Sequence, residues 1–132
     1  MSKRILIVDD DKTTLIWMSE ALLKKGYEVD VAINGIAALQ KIKTQKPDLV
    51  ITDVLMPEMD GFHLFKELKK NKETAQILIL VQSVRKSMED AFAAIGVRDF
   101  LLKPFKPEDL YAKVELMFAR IRHDDDRIIL PP

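Results

Sequence analysis

The sequence predicts an α/β domain built on a five-stranded parallel sheet with helices on both faces. Three observations carry this. Short, nearly continuous apolar runs alternate with longer stretches whose apolar residues recur at helical spacing. The strongest runs, Ile5–Val8, Leu49–Thr52 and Ile77–Val81, lack the in-and-out alternation of a sheet with one wet face, so both faces are covered, as in parallel sheets. The strand–helix alternation occurs five times in 132 residues, a length that suits one core, and the crossovers are expected to be right-handed.

The elements follow in order. Ile5-Leu6-Ile7-Val8 is the first strand and runs into Asp9-Asp10-Asp11. Leu15, Met18 and Leu22 mark a helix from Thr13, with Asp11 as its N-cap and Gly26 as its stop. Tyr27 to Ala32 is the second strand. Asn34-Gly35 makes a turn, and Ile36 to Gln45 is a second helix closed by Pro47. Leu49 to Thr52 is the third strand and ends at Asp53. Pro57 and Gly61 punctuate the next loop, and Gly61 to Lys70 is helical. Ile77 to Val81 is the most apolar run and reads as a central strand. Met88 to Ile95 is a short helix stopped by Gly96, and Asp99 to Leu102 is the fifth strand, leading into Lys103-Pro104. Pro107 fits the first position of a helix, with Glu108 and Asp109 favourably placed against its dipole. Leu110, Val114, Met117 and Ile121 form its inward stripe. The pattern fails at the charge run His123-Asp124-Asp125-Asp126. The expected organisation is one domain over 1–122 and a C-terminal tail, or the start of a linker, over 123–132.

Composition excludes several functions. Lys+Arg and Asp+Glu both number 21, so there is no net basic field to hold nucleic acid. The absence of cysteine removes disulfides, thiolate nucleophiles and thiolate zinc sites. With 48% hydrophobic and 32% charged residues, the chain reads as globular. The first apolar run is too short for a signal peptide or a membrane span, which leads to an expectation of a cytoplasmic protein. No glycine-rich loop follows the first strand, which argues against nucleotide binding.

In open parallel sheets ligands bind beyond the carboxyl ends of the strands. The unusual polar residues Asp9, Asp10, Asp53, Ser83 and Lys103 all fall at those ends. Carboxylates gathered there repel one another unless a hard divalent cation joins them. Mg²⁺ prefers oxygen ligands and leaves positions for water and phosphate. Lys103 adds a positive charge and Ser83 a hydroxyl donor. Together these make an electrostatic clamp for a phosphoryl group in transit, a reaction that needs mainly positioning and charge neutralisation. The nucleophile must be an exposed carboxylate beside the metal, which favours Asp53.

Ile5-Leu6-Ile7-Val8-Asp9-Asp10, the loop Asp53-Val54-Leu55-Met56-Pro57-Glu58-Met59-Asp60-Gly61, and Lys103-Pro104-Phe105 together resemble the three signatures of response-regulator receiver domains. The resemblance covers about residues 3–122, and the Asp-x-x-Met-Pro-x-Met-Asp-Gly loop is its most specific part. It implies a flavodoxin-like (βα)5 fold with strand order 2-1-3-4-5. It implies that Asp53 is the phosphoacceptor, and that Asp10 and Asp53 bind Mg²⁺ with the main-chain carbonyl of Leu55. Asp9 assists, partly through water, and Lys103 contacts the phosphoryl group.

The resemblance also implies a signalling switch of a two-component system that catalyses only its own aspartyl phosphorylation and dephosphorylation. The implied donor is a sensor histidine kinase or phosphotransfer protein, and the reader a downstream effector protein or domain. No direct contact with nucleic acid or membrane is implied, and the chain is expected to be a monomer or weak homodimer. The family's switch hydroxyl lies at the end of the fourth strand. Counting from Asp53 reaches Ser83, and counting back from Gly96 and Lys103 reaches Val81; Ser83 is favoured because it has the hydroxyl. Ser83 would be drawn to the phosphoryl group and Phe100 would turn inward, reshaping the face of the fourth helix, fifth strand and fifth helix. Leu55 and Arg85 flank the site where the family tunes hydrolysis, and bulky Leu55 predicts a long-lived phosphoryl group.

Two rival readings stand beside this. Asp9-Asp10-Asp11-Lys12-Thr13 also matches the Asp-x-Asp-x-Thr opening of haloacid-dehalogenase-like phosphatases, with Asp9 as nucleophile and Asp11 as acid/base. The chain is short for that family, and the reading leaves the Asp53–Gly61 loop unexplained. The other rival is a receiver-like binding module that works without phosphate. Phe100 also reads as plain core, and Trp17 as packing against the tail or the sheet edge.

Overall fold

The computed structural model describes residues 2–54, 56 and 59–129, with side chains described as far as residue 120. The order is β1 (Arg4–Val8), α1 (Lys12–Lys24), β2 (Glu28–Ala32), α2 (Gly35–Thr44), β3 (Leu49–Asp53), α3 (Gly61–Lys70), β4 (Leu78–Ser83), α4 (Ser87–Ala94), β5 (Asp99–Leu102) and α5 (Pro107–Ile129). The strands form one parallel sheet in the order β2-β1-β3-β4-β5. The expected fold class and strand order are both found.

Alternate residues of each strand feed two cores. Ile5, Ile7, Leu49, Ile51 and Leu80 pack with Leu15, Met18 and Leu22 of α1 and with Leu110, Val114 and Met117 of α5. Leu6, Val8, Val50, Ile79 and Val81 pack with Ile42 of α2, Leu64, Phe65 and Leu68 of α3, and Phe92 of α4. Ile5 and Ile7 are wholly buried. Burial of one such side chain contributes about 1.5–3 kcal/mol relative to exposure. Because both faces are covered, β1 and β3 have no polar alternation, whereas the edge strand β2 alternates Glu28, Val29, Asp30 and Val31.

Local signals set most element ends. Asp11 caps α1, accepting from the Thr13 amide at 3.2 Å and the Thr14 hydroxyl at 2.8 Å. Asn34 caps α2 through the Ala37 amide at 2.8 Å, so that helix begins at Gly35, inside the expected turn. Gly26 and Gly96 follow α1 and α4 with φ of 91° and 103°, the left-handed conformation that ends helices.

Two expectations are corrected. β4 runs to Ser83, not Val81, because pairing of Gln82 with Leu101 and Ser83 with Leu102 carries two polar residues into the ladder. It lies inside the sheet, while β3 is the middle strand. The backbone of α5 continues to Ile129, past the residue at which the amphipathic stripe stops. Trp17 packs on Phe105, which follows the edge strand β5, with ring centroids 5.6 Å apart.

The chain leaves β1 for β2 at one edge and returns across it to β3, so successive connections diverge between β1 and β3. The carboxyl ends of these two strands flank the crevice where open α/β sheets bind ligands.

Candidate functional site at the carboxyl edge of the sheet

Asp9 and Asp10 follow β1, Asp53 ends β3, Ser83 ends β4 and Lys103 follows β5. Val8 pairs with Thr52, so the residues immediately after them, Asp9 and Asp53, stand side by side. Asp9, Asp10 and Asp53 each bring a carboxylate oxygen within 4.8 Å of the others. Asp9 is buried, Asp53 is intermediate and Asp10 is exposed, so the cluster has a closed floor and an open side.

Asp9 is held by three donors. Its Oδ1 accepts from the Asp11 amide at 2.9 Å, and its Oδ2 from Gln82 Nε2 at 3.3 Å and Lys103 Nζ at 3.2 Å. Lys103 Nζ also lies 3.6 Å from Asp53 Oδ2 and so spans the two acids. The other Asp53 oxygen accepts from the Val54 amide at 2.9 Å. The Lys103–Pro104 peptide bond is cis.

Burial pushes the Asp53 carboxyl above the ordinary aspartate range. The Lys103 ammonium pulls it down, Asp9 pushes it up, the Val54 amide pulls it down and Asp10 pushes it up. The shift stays upward because burial is the largest influence, and the one ammonium is divided between Asp9 and Asp53. Hard oxygen donors short of positive charge suit Mg²⁺, which binds through one or two carboxylates and keeps positions for phosphate oxygens. The expected carbonyl ligand, that of Leu55, lies outside the described residues.

The loop after Asp53 is shaped by close approach. The Gly61 amide donates to the Val54 carbonyl at 2.9 Å, and a Cβ on Gly61 would stand 2.7 Å from the Asp53 carbonyl oxygen. Asp60 caps α3, accepting from the His63 amide at 3.0 Å and from His63 Nδ1 at 2.9 Å. Burial alone would raise the Asp60 pKa, but the bonds and charge of His63 outweigh it and lower the pKa.

Ser83 is buried at the end of β4, and its Oγ accepts from the Arg85 amide at 3.1 Å. Its carbonyl accepts from the Lys103 amide at 2.8 Å, tying the ends of β4 and β5. Val81 lies two residues deeper, between Thr52 and Phe100 in the ladder, wholly buried in the core. Of the two candidates for the switch hydroxyl, only Ser83 stands at the strand end. Phe100 is half-buried against Phe92, with centroids 6.4 Å apart, and Phe92 stacks on Phe62 at 4.0 Å.

Gln82 is the site residue that sequence reasoning passed over. It pairs with Asp53 in the ladder, is wholly buried and reaches Asp9. Its signal was an amide breaking the most apolar run of the chain immediately before Ser83. Asp11, the acid/base of the phosphatase reading, has both carboxylate oxygens engaged in capping α1.

Comparison with known proteins agrees with this geometry. Residues 5–115 match the family described as the response regulator receiver domain. The alkaline phosphatase synthesis transcriptional regulatory protein PhoP of Bacillus subtilis (strain 168) is 34% identical over 120 residues, covering 91% of this chain and 50% of that protein. The response regulator MprA of Mycobacterium ulcerans (strain Agy99) is 35% identical over 128 residues, covering 96% of this chain and 54% of that one. The chain thus spans about half the length of these curated relatives. Among solved structures, a CheY-like response regulator receiver domain protein from Methanospirillum hungatei JF-1 superposes with a TM-score of 0.85 at 28% identity, over 94% of this chain and 99% of that chain. The chemotaxis protein CheY4 of Vibrio cholerae gives a TM-score of 0.82 at 31% identity, over 87% of this chain and 98% of that chain. No helix among the described residues is long and apolar enough to cross a membrane. The sheet order, the acidic cluster between β1 and β3 and the match over most of the chain lead to one assignment: this protein belongs to the response regulator receiver domain family.

Proposed function

We propose that the chain is a phosphorylation-dependent switch in which Asp53 accepts a phosphoryl group from a phosphohistidine of a sensor kinase or phosphotransfer protein. An Asp53 carboxylate oxygen attacks phosphorus, the O–P bond forms as the P–N bond breaks, and the leaving imidazole nitrogen takes up a proton. Asp9, Asp10 and Asp53, with the Leu55 carbonyl, are the residues that would hold Mg²⁺; the bound ion supplies charge neutralisation on the phosphoryl oxygens. Lys103 moves its ammonium from the two carboxylates to the incoming phosphoryl oxygens. The Val54 amide orients the attacking carboxylate, and Gly61 leaves room for the loop to turn back beneath it. The observation that carries the reading is the Lys103 ammonium set between Asp9 and Asp53 in a cluster of three carboxylates.

After transfer, the Ser83 hydroxyl turns to the phosphoryl oxygens and Phe100 moves into the space vacated. The α4-β5-α5 face changes and is read by an effector protein or domain. Phosphorylation biases two pre-existing states only by its differential interaction with them. The chain works in the cytoplasm as a monomer or weak homodimer, and residues 123–132, of which 123–129 continue α5, are a tail or the beginning of a linker.

Incubation with acetyl phosphate and Mg²⁺, followed by mass mapping after borohydride trapping, tests the assignment. The label is expected on Asp53 and absent from Asp53→Asn. A label on Asp9 would instead restore the phosphatase chemistry. No label, together with a spectrum unmoved by beryllofluoride and Mg²⁺, would support a binding module that works without phosphate.

A further inference from the structure

Gln82 is a buried primary amide in a strand whose preceding residues, Ile79, Leu80 and Val81, are all apolar and buried. Its side chain crosses the end of β3, beside Asp53, to reach Asp9 on β1. The direction of the bond follows from chemistry: an ionised carboxylate only accepts, so the NH2 end of Gln82 faces Asp9. Its Oε1 is buried with no hydrogen-bond partner among the described residues. A purely structural role does not account for this, since burying an unpaired amide oxygen costs stability and an apolar side chain would fill the space without that cost.

We infer that Gln82 is a positioning residue for the magnesium site: it fixes the orientation of the Asp9 carboxylate and keeps it fixed when Lys103 leaves. Gln82 and Lys103 share Asp9 Oδ2, at 3.3 and 3.2 Å. In the proposed transfer Lys103 swings to the phosphoryl oxygens, and Gln82 remains as the side-chain donor on Oδ2. A neutral donor suits the task. It restrains the carboxylate without adding a positive charge that would compete with the cation. Partners of this kind, one step out from the metal, orient the acids around it, and their loss typically weakens metal binding by about 10–100-fold.

The inference rests on the proposed Mg²⁺ site, and wild-type protein separates the two. Calorimetric titration with Mg²⁺ is run on wild type, Gln82→Met, Gln82→Asn, Asp9→Asn and the Asp9→Asn/Gln82→Met double variant, with folding followed by circular dichroism. Gln82→Met keeps the side-chain length and removes both polar atoms. Gln82→Asn keeps the amide but withdraws it from Asp9 by one methylene. Gln82→Met is expected to melt within a few degrees of wild type and Gln82→Asn somewhat lower, since its amide is buried without a partner, and both are expected to stay folded and to bind Mg²⁺ about tenfold more weakly. The double variant is expected to bind no more weakly than Asp9→Asn alone, because Gln82 acts through Asp9. Folded variants that bind Mg²⁺ as wild type does, or losses that simply add in the double variant, would overturn the inference. If Gln82→Met fails to fold, the Gln82→Asn titration decides by the same criterion. If wild type itself takes up no Mg²⁺, the metal site is refuted and this role with it.

Discussion

Asp53 sits where the fold works against its charge, and the direction of that effect is testable. Its carboxyl is raised above the ordinary range by burial, with Lys103 pulling down and Asp9 pushing up. A native pKa above the unfolded one means that the native state binds the proton more tightly. Stability therefore falls as pH rises from the unfolded carboxylate value, about 3.9, through the raised native value. At neutral pH the ionised group costs stability in metal-free protein. Asp53→Asn is expected to raise the melting temperature in EDTA and to flatten its decline over that pH window. Thermal melts across pH check this, and an Asp53→Asn protein that melts lower than wild type would contradict it. Lys103→Met has the opposite sign, because it leaves Asp9 and Asp53 facing each other without the ammonium between them. It is expected to lower the melting temperature and to slow labelling by acetyl phosphate by about 100-fold, the smaller end of what a lost charge-stabilising donor costs.

Elements hold these residues in place through a few contacts at their ends. Gly61 opens α3 where a Cβ would meet the Asp53 carbonyl at 2.7 Å, so the backbone of Asp53 is packed against the next helix. Gly61→Ala must push that backbone, and is expected to destabilise by about 1–3 kcal/mol, the range for overpacking at a closed site. It should also slow phosphorylation, which denaturant melts paired with labelling rates will show. Asp60 caps the same helix, and Asp60→Ala is expected to cost about 1 kcal/mol, as loss of an N-cap does. The low pKa of Asp60 adds a pH signature. Its stabilisation is present above the unfolded carboxylate value and is lost as pH falls through the lowered native value. Comparing the pH dependence of stability in wild type and Asp60→Ala isolates it. Asp53 and Asp60, a short loop apart, thus respond to acid with opposite signs.

For the whole molecule, binding and stability are linked. A ligand that binds only the native state at 100 times its Kd adds about 2.7 kcal/mol. Mg²⁺ with beryllofluoride is therefore expected to raise the melting temperature of wild type, and to leave Asp53→Asn nearly unmoved. A second expectation concerns the proposed end of the receiver unit. Among the described residues the cores reach as far as Phe118 of α5, with Asp99 of β5 held by Arg120 at 2.6 Å and Lys113 at 3.4 Å. Removing residues 123–132 is then expected to leave the melting temperature and phosphorylation unchanged. A large drop would show that the last turns of α5 belong to the domain.

The features legible in the order of residues alone are local and chemical. Apolar runs marked strands buried on both faces, Asp11 and Gly26 marked the ends of α1, and motifs named Asp9, Asp10, Asp53 and Lys103 as strand-end residues. These features are legible because burial, caps and turns leave short-range patterns in composition. Which side chains meet depends on the folded chain. Gln82 and Lys103 bond to Asp9 across 73 and 94 positions of chain, distances over which no periodicity carries information. Ladder pairing, not propensity, extends β4 through Gln82 to Ser83, leaving Val81 opposite Thr52 in the core and Ser83 at the edge. A parallel sheet sets its register by hydrogen bonds between distant segments, and that register, rather than the order of residues, gathers the acids, the amide and the ammonium at one edge.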